Sequence, residues 1–149
     1  MKAKTLKRII NLWPPLFFNA IKVTRISDNF REIDVALKLR CYNSNNVGVQ
    51  FGGNLFAMTD PWYMLMLMEN LGRDYYVWDK KATIEFISPG RGHVSAQFIL
   101  TQEKINEIRA ATANGEKYLP EFEVNIVNAD NKLVARVHRT VYVKQKPAK

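Results

Sequence analysis

Residues 53–71 read GNLFAMTDPWYMLMLMENL, and Asp60 is the one acid in that run before Glu69. Leucine, methionine and alanine favour helix over strand. Because apolar side chains occupy most of the circumference, such a helix has to be buried on nearly every side. Gly72 follows at the position expected for a left-handed C-terminal cap. The sequence therefore predicts a long buried central helix over about 53–71, around which the remainder must pack. An ionised carboxylate in that company costs several kcal/mol unless it is paired or faces a cleft. Two roles are open to Asp60: capping a helix that has Pro61 at its first position, or chemistry.

Composition limits what can surround the helix. A chain of 149 residues with 47% apolar content is long enough for one well-buried core and too short for two ordinary domains, so 1–149 reads as a single domain. The single cysteine, Cys41, excludes an internal disulfide framework and fits a cytoplasmic protein. At the N-terminus, Lys2, Lys4, Lys7 and Arg8 precede Ile9, Ile10, Leu12 and Trp13, but Pro14 and Pro15 interrupt the apolar stretch and no cleavage site follows. This segment predicts a short surface helix over 5–13. The longest unbroken apolar run, 62–68, falls far short of the ~20 residues a membrane-spanning helix needs, so no membrane partner is expected. The net charge of +8 comes from scattered Lys and Arg residues without any helix-turn-helix, zinc-finger or RNP signature. A phosphorylated small molecule would satisfy that charge as well as a polynucleotide, and a solvated basic surface is the plain alternative; no nucleic-acid partner is expected. His93 and His138 lack companions at metal-ligand spacing, so no metal is expected.

Two strand-like runs, 22–26 and 33–39, flank the turn residues Ser27, Asp28 and Asn29 and predict a hairpin. Further strands are predicted over 82–87 and 94–100, separated by Pro89-Gly90-Arg91-Gly92, and over 122–127 and 133–143, joined through Asn128, Asp130 and Asn131. Between them 102–114 predicts a helix with Thr101 as N-cap and Gly115 as stop. The fold class is α+β: a curved antiparallel sheet of about six strands wrapped around the central helix.

That order of elements resembles the hotdog fold. The residues Asn45, Gly48, Gly52, Gly53 and Asp60 resemble the signature of small hotdog acyl-CoA thioesterases of the phenylacetate-pathway type, which carry Asn, then His-Gly-Gly, then Asp along the helix. The wording DPWYMLMLMENLGRDYYVWDKKATIEFISPGRG and the late VARVHRTVYV strand are similar to an uncharacterised, thioesterase-like bacterial branch of that superfamily, over essentially the whole chain. The resemblance implies hydrolysis of an acyl-CoA or similar thioester. Asp60 would be the nucleophile or general base, the Gly53 amide would polarise the thioester carbonyl with Gly52 beside it, and Asn45 would orient water or the thioester oxygen. Phe51 stands where the family has histidine, and phenylalanine donates no hydrogen bond. Arg91, then Lys81, Arg73 and Arg139, are the candidates for the coenzyme A phosphates. No cofactor is implied beyond coenzyme A as part of the substrate. The implied assembly is a homodimer joined sheet edge to sheet edge, with a tetramer as a further step and with Trp62, Tyr63, Tyr75, Tyr76 and Trp78 lining core and seam. Each residue also has a structural reading: the glycines as close-packing points, Asn45 as a turn residue, the basic residues as solvated charges. The alternative function is a non-catalytic hotdog module that binds acyl-CoA, acyl carrier protein or another apolar anion.

Overall fold

A computed structural model describes residues 2–147. Helices α1 (Ala3–Ile10) and α2 (Pro14–Phe17) precede strands β1 (Ile21–Ile26) and β2 (Glu32–Leu37); then come helices α3 (Gly52–Ala57) and α4 (Trp62–Leu71). Strands β3 (Tyr75–Phe86) and β4 (Val94–Ile99), helix α5 (Gln102–Thr112), and strands β5 (Lys117–Tyr118), β6 (Glu121–Asn128) and β7 (Leu133–Gln145) complete the order. The strands form one antiparallel sheet in the order β1-β2-β4-β6-β7-β3, with the short β5 also pairing with β7.

The expected hairpins form where turn chemistry predicted them. Ser27 Oγ accepts from the main-chain N–H of Arg31 and Glu32, and Asn128 Oδ1 accepts from those of Asp130 and Lys132. Helix α5 starts on its expected cap, with Thr101 Oγ1 accepting from the Lys104 N–H at 3.2 Å. Two bounds differ. The N-terminal helix expected over 5–13 runs Ala3–Ile10, and β3 begins at Tyr75 instead of near residue 82. In β3 the pairing with β7 slips between Asp79 and Lys81, a bulge that breaks the alternation a sequence reading depends on.

The central helix is not continuous. Helix α3 ends at Ala57, and α4 begins at Trp62. Proline has no N–H to donate and disfavours helical geometry in the residue before it, so helix cannot run through Asp60-Pro61; that peptide bond is cis. Within the break, Thr59 Oγ1 donates to the Phe56 carbonyl and the Trp62 indole N–H donates to the Met58 carbonyl at 2.7 Å. Asp60 does not cap α4: Pro61 occupies the N-cap position and no side chain bonds there. At the other end Gly72 has φ 89° and ψ −175°, a glycine-only conformation but not the left-handed helical cap expected.

Burial of α4 is one-sided. Trp62, Tyr63, Met66, Leu67 and Leu71 enter the core, while Met68 and Glu69 are exposed, contrary to the expectation of burial all round. The core residues meet Ile33, Val35 and Leu37 from β2, Ala96 and Phe98 from β4, and Val124, Ile126, Val137 and Val141 from β6 and β7. Tyr63 stacks on Phe122 with ring centroids 4.2 Å apart and meets Phe98 edge-on. Each such buried side chain contributes roughly 1.5–3 kcal/mol from area removed from water. No described helix is long and apolar enough to cross a membrane.

Candidate functional site

The break between α3 and α4 faces the bulged part of β3, and between them lies an open cleft of about 370 Å³. Gly53, Phe56, Ala57 and Asp60 form one wall; Asp79, Lys80, Lys81, Ala82 and Arg139 form the other. Asp60 is not buried: its side chain is 57% exposed, because the break carries it out of the helical core to the cleft mouth.

Beneath it lies Arg139, only 3% exposed. Its Nη2 is 3.5 Å from Asp60 Oδ2 and donates to Thr59 Oγ1 at 3.4 Å, while Nη1 is 3.4 Å from Asp79 Oδ1. The guanidinium carbon also sits 5.8 Å from the Phe56 ring centroid. Arg139 is therefore not the surface phosphate ligand expected from the sequence but a buried cation set between two acids. Burial pushes the Asp79 carboxyl above its usual range; Arg139 draws it back down and the Asp60 charge raises it further. The cleft thus gathers two acids and three bases, a balance suited to an anionic ligand.

Helix α3 presents its first turn to the cleft. The first backbone donor it engages is that of Asn54, bonded to the Phe51 carbonyl, so the N–H groups of Gly52 and Gly53 have no backbone partner among the described residues. Both glycines sit close against aromatic rings. A Cβ at Gly53 would fall 2.4 Å from Phe51 Cε1, and one at Gly52 would fall 3.0 Å from Phe86 Cζ. Phe51, half exposed, thus lays its ring against Gly53 where the resembled family has an imidazole.

A second cleft of about 400 Å³ lies on the other flank of α3, lined by Asn45, Val49, Gln50, Gly52, Phe86 and the 87–90 segment among others. Asn45 Oδ1 accepts from the N–H groups of Val47 and Val49, both at 3.1 Å, which is turn chemistry, while its Nδ2 has no protein partner among the described residues. Gln50 is buried, its main-chain N–H bonded to the Gly90 carbonyl and its Nε2 to the Gly92 carbonyl at 2.8 Å, so it ties the entrance of α3 to the 89–92 turn.

Of the residues singled out in the sequence, Asp60, Gly53 and Lys81 share the first cleft, and Asn45 and Gly52 share the second. Arg91 is exposed on the turn whose Pro89 and Gly90 line the second cleft. Arg73 stands apart, in a different concavity beside Asp74, Gln145 and Lys146. Asp79 and Gln50 escaped notice, because a lone acid beside two lysines and a loop glutamine look like surface residues. For Arg139 a signal existed: it shares the inward phase of Val137, Val141 and Val143.

A sheet wrapped around a central helical segment, with a cleft at that segment, defines the hotdog fold, and solved structures share it. PA5026 of Pseudomonas aeruginosa, a protein of unknown function labelled a probable thioesterase, superposes with a TM-score of 0.85 at 14% identity over 97% of each chain. The thioesterase HI1161 of Haemophilus influenzae superposes with a TM-score of 0.70 at 15% identity over 97% of this chain and 92% of its own. A mutant form of the Pseudomonas aeruginosa thioesterase PA1618 does so with a TM-score of 0.70 at 11% identity, over 97% and 95%. At such identities the likeness is one of fold. By sequence, residues 2–143 match the family described as a domain of unknown function, DUF4442, and the chain belongs to that family. No curated protein matches it by sequence.

Proposed function

We propose that this protein hydrolyses an acyl-CoA or similar thioester. The observation that carries the reading is that Asp60 and Gly53 line one open cleft, with the carboxylate solvent-accessible and held beside a buried guanidinium. In the reaction, Asp60 takes a proton from water as the water oxygen attacks the thioester carbonyl, or attacks that carbon itself to form an acyl anhydride that water then hydrolyses, releasing the carboxylic acid and restoring the Asp60 carboxylate. The free N–H at Gly53 stabilises the developing oxyanion. Collapse of the tetrahedral intermediate expels the thiolate, which recovers a proton. Lys81 and Lys80 at the cleft wall, and Arg91 beside the second cleft, would meet the phosphates. We place the reaction in the cytoplasm, in keeping with a free, exposed Cys41 thiol.

The site is completed across a homodimer in this reading. Asn45, with an unused Nδ2 donor, opens on a different cleft from Asp60, so one chain offers two half-sites that a partner copy would join. Release of free thiol from a panel of acyl-CoA esters tests the proposal: wild-type protein turns over and Asp60→Asn loses activity by about a hundredfold or more. Turnover unaffected by the substitution would overturn it. A second reading has its own observation, the Phe51 ring packed where a hydrogen-bonding imidazole is expected. A non-catalytic module would bind acyl-CoA or acyl carrier protein with no turnover in the wild type.

A further inference from the structure

The segment 9–18 leaves five large apolar side chains in solvent. Ile9, Leu12, Trp13, Phe17 and Phe18 are all exposed, Leu12 and Phe18 to about 70%. They are not there for want of anchoring. Helix α1 buries Ala3, Leu6 and Ile10, the first two against Phe30 and Ile26, and α2 buries Leu16. Lys7 and Asn11 hydrogen-bond to β1, and Phe17 meets Phe18 edge to face at 5.4 Å. The segment is thus a fixed platform that directs its remaining apolar side chains outward.

Charge within the N-terminal segment is of one sign. Lys2, Lys4, Lys7, Arg8, Lys22 and Arg25 precede the first acid of the chain, Asp28. Arg25 is paired with Glu32 and Asp34, whereas Lys2, Lys4, Arg8 and Lys22 are exposed and take part in no ion pair among the described residues. Exposed aromatic and aliphatic side chains interleaved with lysine and arginine, and free of acids, are what an anionic lipid surface attracts. The apolar groups enter the boundary between headgroups and acyl chains while the cations stay with the phosphates. A bilayer accepts such a platform without a shaped counterpart.

We propose that α1, α2 and the link between them form a docking surface for an anionic phospholipid bilayer. The expectation of no membrane partner rested on the lack of a spanning segment, and a surface-lying helix needs none. The platform packs beside β1, at the opposite end of the strand order from β3, which lines the Asp60 cleft.

Co-sedimentation of the full chain with vesicles tests the proposal independently of any enzymatic activity. Wild-type protein should pellet with mixed phosphatidylcholine and phosphatidylglycerol vesicles, weakly with phosphatidylcholine alone, and less as salt rises. Two variants keep the anchoring residues intact: Leu12→Ser with Phe17→Ser and Phe18→Ser, and Lys4→Glu with Arg8→Glu. Each should bind the anionic vesicles about tenfold or more weakly with an unchanged melting temperature. Equal binding of both variants and wild type, or no preference of the wild type for anionic vesicles, overturns the proposal. So does sedimentation showing that the platform instead joins two copies of the chain, or a saturable complex with an acidic carrier protein that vesicles do not displace.

Discussion

In the strand VARVHRTVYV, Arg139 occupies the phase of Val137, Val141 and Val143, and its guanidinium enters the sheet's inner side. A buried charge of that kind persists only where partners satisfy it. Asp79 on the bulged strand and Asp60 in the helix break are those partners, both from segments distant from Arg139 in sequence. Asp79 is the group whose proton affinity records the arrangement, since desolvation outweighs the pull of Arg139 and raises its pKa. A carboxyl raised in the folded state contributes most to stability below its ordinary value of 3.8, and that contribution is lost as pH rises through the raised value. Melting temperatures of wild type and Asp79→Asn, measured across pH, should therefore diverge against the wild type as pH climbs from 3.8. A pH-independent difference would contradict the burial-driven shift. Asp60 was legible as a candidate because an acid in an apolar run is conspicuous. Its partners were not, because pairing across the fold leaves no local pattern.

At the level of elements, the broken central helix shows where propensity stops being decisive. Residues 53–71 have helical composition throughout, yet Pro61 withholds a donor and the chain turns. Trp62 holds the two pieces together: its indole N–H closes on the Met58 carbonyl inside the core, and its ring is fully buried. Replacing Trp62 with Phe keeps most of the packing but leaves that carbonyl unsatisfied, at a cost of about 1–3 kcal/mol. Trp62→Ala adds a cavity, for about 3–5 kcal/mol. Urea denaturation should rank the two in that order, and equal losses would show that the hydrogen bond, not the packing, carries the effect. The early start of β3 was hidden for a different reason. Tyr75 to Trp78 read as core and seam aromatics, and the bulge at Asp79–Lys81 then shifts the phase by one residue.

For the whole molecule, the two sheet edges are treated differently. On β1, Asn11 bonds both the N–H and the carbonyl of Val23, and Lys7 Nζ donates to the Thr24 carbonyl, so α1 occupies backbone groups that another strand would need. The twelve-residue β3 pairs with β7 alone and carries exposed Tyr76, Trp78 and Phe86. A long open edge of that kind favours pairing with a second copy. Light scattering should give twice the 17.2 kDa chain mass, and β3 amides should gain hydrogen-exchange protection with concentration. A monomer at every concentration would rule out the shared site. What the sequence by itself determined was the α+β order, the turns, the cap of α5 and the presence of a core helical segment. Those depend on neighbours a few residues apart, through side-chain period, turn chemistry and helix propensity. Only the tertiary structure decided that Asp60 reaches a cleft, that Arg139 is buried beneath it, and that Asn45 lies on the far flank of α3. Desolvation and ion pairing act between atoms close in space, and in this fold those atoms come from β3, β7 and a helix break that are distant along the chain.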